Sequence, residues 1–111
     1  MNISDAGGRT VAADVETMFG SVDLAILDAA RLTASVMETK QGTVIAPAKF
    51  QRVVDSLSAG MVKIIEGRKD MVAAHRTLTV FKDESNLAVV DYGCFSVGEG
   101  EEASSRSRVE A

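Results

Sequence analysis

The chain has 111 residues, 46% of them hydrophobic and 25% charged, with a net charge of −4, one proline and no tryptophan. One domain is the natural count for that length, and the apolar content excludes disorder of the whole chain. The twelve basic residues are scattered among sixteen acidic ones. No basic face emerges, which argues against nucleic acid or an anionic membrane as partner.

Residues 1–9 are small and polar and include Gly7-Gly8, so they read as a flexible lead-in. They lack the basic region and apolar core of a signal peptide, and the lone Cys94 can close no internal disulfide. A cytoplasmic location is the expectation. Gly7-Gly8-Arg9 before a helix could hold an anion at the helix N-terminus, but a linker is the default reading.

From Val11, apolar residues recur in steps of four and three: Val11, Val15, Met18, Val22, Ala25, Ala29, Leu32 and Val36. That spacing predicts one amphipathic helix over about 11–40, with Thr10 as its cap and Asp14 and Glu16 near its positive end. Gly20-Ser21 is a candidate break, and one continuous helix is the favoured reading. The apolar run Val22–Leu32 is interrupted by Asp23, Asp28 and Arg31, so it cannot span a bilayer.

Gln41-Gly42-Thr43 is turn chemistry, and Pro47 suits a first helical turn because its missing N–H has no partner there. The same stepping then resumes at Phe50, Val54, Leu57, Met61, Ile64, Arg68, Met71, His75 and Leu78. It predicts a second helix over about 47–83. The polar cluster Lys82–Asn86 places its end between Leu78 and Ser85. A connection this short makes the helices antiparallel neighbours. Folding about its centre sets residue i opposite residue 87 − i, and so Gly20 opposite Gly67. Gly20, Gly60 and Gly67 are therefore expected at a close helix crossing.

Leu24, Leu27, Ile65 and Val72 lie off or at the margin of these stripes. A hairpin alone would leave them as a broad apolar surface in water. Two hairpins paired into a four-helix bundle would cover it. The expected fold is thus all-α: an antiparallel hairpin that forms a homodimer through this packing face, within a single helical domain at 10–97. Leu87–Val97 is too apolar for a loose tail and is expected to pack back on the helices. Residues 98–111 are polar and unpatterned, and read as a disordered tail.

Little in the sequence suggests catalysis. One His and one Cys on different segments supply no zinc spacing, and no Glu-x-x-His of a di-iron bundle occurs. No metal or other cofactor is expected. Cys94 has no basic neighbour in sequence to stabilise a thiolate. No Gly-x-Ser-x-Gly is present, and the glycines at 93, 98 and 100 form no phosphate loop. Arg68 on the second stripe needs an acidic partner if buried. It and His75 are the candidate binding residues. Met18, Met37, Met61 and Met71 suit core filling or an adaptable contact surface.

Ala74-His75-Arg76-Thr77-Leu78 loosely resembles the phosphorylated histidine of phosphotransfer helical modules. That resemblance implies a solvent-facing His75 accepting a phosphoryl group, yet the stripe places His75 toward the core. The expected function is a non-catalytic protein-interaction or regulatory module. A phosphotransfer module using His75 and a binder of a small apolar ligand between the helices are the alternatives.

Overall fold

The computed structural model describes residues 1–92. Two helices account for most of them, α1 over Asp5–Gln41 and α2 over Pro47–Asp83, and no strand occurs among the described residues. They pack antiparallel as a hairpin, and α1 runs unbroken through Gly20. Packing divides the described chain into two units: residues 20–68, and residues 1–19 with residues 69–92.

α1 starts six residues before the predicted Val11. Ser4 is its cap: the Ser4 hydroxyl accepts from the Gly7 N–H at 3.0 Å, and the Ser4 carbonyl accepts from the Gly8 N–H at 3.0 Å. The first of these bonds meets one of the donors that every helix start leaves open, and the second is the first rung of the helix. Asp5 lies in the positive first turn and pairs with Arg9 one turn on, which favours the helix further. Residues 5–9 are therefore helix and not lead-in.

In the unit formed by residues 20–68, Val22, Ile26, Ala29, Thr33 and Val36 of α1 face Phe50, Val54, Leu57, Met61 and Ile64 of α2, and all but the buried Phe50 are half-buried. The Lys40 ammonium lies 5.7 Å from the centre of the Phe50 ring, a cation–π contact that closes the hairpin end. The loop is fixed by Gly42 and Thr43 N–H groups donating to the carbonyls of Thr39 and Lys40. At the far end of this unit Arg68 Nε donates to Asp23 Oδ1 at 2.6 Å.

Both stripes depart from prediction. On α1 the contact positions are Ile26 and Thr33, and their neighbours Ala25 and Leu32 are exposed. A four-three count can be entered from either flank of a wide apolar face, and only the partner helix decides which flank is inward. On α2 the stripe runs Ile64, Arg68, Val72, His75, with Met71 and Leu78 exposed. Two successive steps of four shift the seam by one residue. Such a shift corrects the drift of about 20° per heptad between 3.6 and 3.5 residues per turn.

The helix register also differs. Lys40 meets Phe50 and Asp23 meets Arg68, partners three and four residues beyond the mirror positions about residue 87. Gly20 therefore does not face Gly67. A Cβ built on Gly20, Gly60 or Gly67 has nothing within 4 Å, so none of the three marks a close crossing within the hairpin.

Candidate functional site

The unit containing both ends of the described chain holds an apolar groove of about 530 Å³. Val11 and Val15 of α1 and Leu78 and Phe81 of α2 form its walls, and His75 and Thr79 line its base. Residues 87–92 close one side. The groove opens to solvent, since Val11, Leu78 and Phe81 are each close to half exposed.

Asn86 builds this end of the molecule. Its side-chain amide accepts from the Ile3 N–H at 2.6 Å and donates to the Ile3 carbonyl at 2.9 Å, and its backbone N–H donates to the Met1 carbonyl at 3.1 Å. A primary amide offers one donor and one acceptor side by side, so one asparagine can pair with a backbone as a strand neighbour would. The turn beneath it is set by Ser85, whose hydroxyl donates to the Lys82 carbonyl at 2.6 Å and accepts from the Leu87 N–H at 3.0 Å. α2 ends at Asp83, inside the predicted window.

Leu87 is buried by this turn. It sits on α1 where Gly8 leaves room: a Cβ there would lie 2.7 Å from Leu87 Cδ1 and 2.6 Å from Tyr92 Oη. Gly8 is thus a seat for the returning chain. The Tyr92 hydroxyl donates to Asp5 Oδ1 at 3.0 Å. Partial burial first, then this bond to a carboxylate, raise the Tyr92 phenol above the ordinary tyrosine range, opposed only by the nearby Arg9 charge.

His75 is 5% exposed. Phe19 meets it edge-on, ring centroids 6.1 Å apart at 73°, and Thr79 Oγ1 donates to its carbonyl at 3.0 Å. A phosphoacceptor must be reached by its donor, and this residue is buried. Arg68, the other candidate binding residue, belongs to the other packing unit and engages Asp23. Leu24, Leu27 and Ile65 are 54%, 45% and 49% exposed, whereas Val72 is half-buried on the seam.

Sequence reasoning missed Ser4, Gly8, Asn86 and Tyr92. The Ser4-Asp5 pair was a readable cap signal, but no periodicity marks an asparagine that pairs with a segment more than eighty residues away. Cys94, the glycines at 93, 98 and 100, the remainder of the Leu87–Val97 stretch and the 98–111 tail lie outside the described residues.

Among the described residues no group of three or more His, Cys, Asp or Glu could hold a metal, and no helix is long and apolar enough to cross a membrane. No protein-family model matches the chain, and the comparisons with curated proteins and with solved structures found no match.

Proposed function

We propose that this chain is a non-catalytic helical interaction module of the cytoplasm that works as a homodimer, two hairpins forming a four-helix bundle, and presents that bundle to other proteins. One observation carries the reading. Among the described residues only Phe50 and Leu87 are buried apolar side chains, whereas fifteen large apolar side chains are exposed. Fully burying one such side chain contributes about 1.5–3 kcal/mol, so covering even part of that surface supplies enough to hold two copies together. Scattered exposed apolar residues are ordinary on a protein surface; two long helices with almost no core of their own are not.

The test is the mass of the full chain in solution. Light scattering and sedimentation over a concentration series should give twice the chain mass at micromolar concentration. A monomer with cooperative unfolding at the highest concentration would refute the proposal.

A further inference from the structure

The groove between the first part of α1 and the last part of α2 is walled by large apolar side chains that stand close to half exposed: Val11 at 47%, Leu78 at 40% and Phe81 at 47%. Its volume of about 530 Å³ is several times the roughly 150 Å³ cavity that takes up one benzene ring. The described chain stops at the rim of this groove. Tyr92 lines it and is tied to α1 by its bond to Asp5, and Gly93-Cys94-Phe95-Ser96-Val97 follows in the sequence. At no more than about 3.6 Å per residue, Phe95 is within about 11 Å of Tyr92 and Val97 within about 18 Å. Beyond Val97 the sequence runs Gly-Glu-Gly-Glu-Glu, and Val109 is the one large apolar residue that remains. The apolar part of this stretch is therefore the part that begins at the groove.

We infer that the occupant of this groove is the chain's own continuation, with Phe95 and Val97 covering Val11, Val15, Leu78 and Phe81. A segment tethered this closely meets the groove at an effective concentration in the millimolar range. A second copy at micromolar concentration competes poorly with it for the same surface. The charges agree. The lining carries one lysine and one aspartate, Lys82 and Asp91, which offset one another. The Lys82 ammonium donates to the Ala88 carbonyl at 3.3 Å and lies 4.0 Å from Asp83, so it does not call for an anionic ligand. Residues 93–97 carry no charged side chain and suit such a lining. A free apolar molecule then enters only by displacing the chain's own residues. Filling the groove from within leaves Leu24, Leu27 and Ile65, exposed in the unit formed by residues 20–68, to a second copy. The inference does not depend on that dimer and holds equally for a single chain.

The experiment is nuclear magnetic resonance of the full chain, read as nuclear Overhauser contacts from the Phe95 ring. Contacts to the methyl groups of Val11, Val15 or Leu78 are expected. Mixing isotope-labelled with unlabelled chain separates contacts within one copy from contacts between two, and the expected contacts are within one copy. In Phe95→Ser the methyl resonances of Val11 and Leu78 should shift, because the ring beside them is gone, while those of Leu27 and Ile65 in the other unit should stay in place. Absence of the wild-type contacts overturns the inference. So do contacts found only between copies, which put a second copy in the groove. Phe95→Ser shifts no larger at Val11 and Leu78 than at Leu27 and Ile65 overturn it as well. If circular dichroism shows that Phe95→Ser loses helix, the wild-type contacts alone decide.

Discussion

Gly8→Ala separates helix propensity from the seat that Gly8 provides. Alanine is worth about 1 kcal/mol over glycine inside a helix, so α1 alone should gain. The new Cβ would lie 2.6 Å from Tyr92 Oη and 2.7 Å from Leu87 Cδ1, closer than non-bonded atoms tolerate. Both are ends of side chains, so residues 87–92 give way and α1 does not. Lifting Leu87 forfeits part of the roughly 1.5–3 kcal/mol of its burial, about what the helix gains. Global stability should therefore change by less than about 1 kcal/mol, and the measurable effect is local. Tyr92 is the only tyrosine and the chain has no tryptophan, so tyrosinate absorbance reports this site alone. Partial burial and the bond to Asp5 raise the Tyr92 phenol. A raised folded value means that this contribution to stability is complete below the ordinary tyrosine pKa of about 10 and is lost as pH climbs through the raised one. In Gly8→Ala the tyrosinate should form at lower pH than in the wild type. An unchanged titration would show that Gly8 does not seat the returning chain.

Other expectations follow from single contacts. Asn86→Ala removes two hydrogen bonds to Ile3; it should cost about 1–2 kcal/mol, read by hydrogen exchange as faster opening of the first turn of α1 together with residues 85–90. Asp23→Asn breaks an ion pair whose side chains are 56% and 38% exposed, so denaturation should register less than about 1 kcal/mol. Phe50→Ala deletes a buried ring at the hairpin turn and should cost about 3 kcal/mol or more in the same assay. Incubation with acetyl phosphate should leave no labile adduct on His75, which is buried beside Phe19; a phosphohistidine found by mass spectrometry would contradict that burial.

The hairpin was legible because burying a stripe along two helices imposes a period on the sequence. Val15, Val22, Val36, Phe50, Val54, Leu57, Met61 and Ile64 all fall on the stripes read from spacing alone. Spacing could not choose between Ala25 and Ile26, because adjacent positions satisfy nearly the same period and only the neighbouring helix breaks the tie. It also could not reveal the join at residues 1–8 and 84–92. That join depends on an amide, a hydroxyl and an absent side chain at Asn86, Ser85 and Gly8, and such contacts leave no repeat. Glycine was misread twice for one reason. Gly8 looked like a linker and has a neighbour against it, whereas Gly60 and Gly67 looked like a crossing and have open space.

The shift of the α2 seam after Ile64 has a chemical consequence. Up to Ile64 the inward positions are all apolar; from Arg68 they are Arg68, Val72, His75, Thr79 and Lys82. The unit formed by residues 20–68 thus holds an apolar seam, and the other unit supplements a more polar one with hydrogen bonds from Asn86, Ser85 and Tyr92. Hydrogen bonds at partly exposed sites contribute little each, so the clasped end should open more readily than the apolar unit. Leu24, Leu27 and Ile65, the exposed residues of the expected packing face, belong to the unit with the apolar seam. A second copy bound there would protect its amides in proportion to protein concentration, while those of residues 85–90 should exchange at a rate independent of it. Concentration-dependent protection confined to residues 85–90 would place the association at the clasped end and refute the assignment of the interface to residues 20–68.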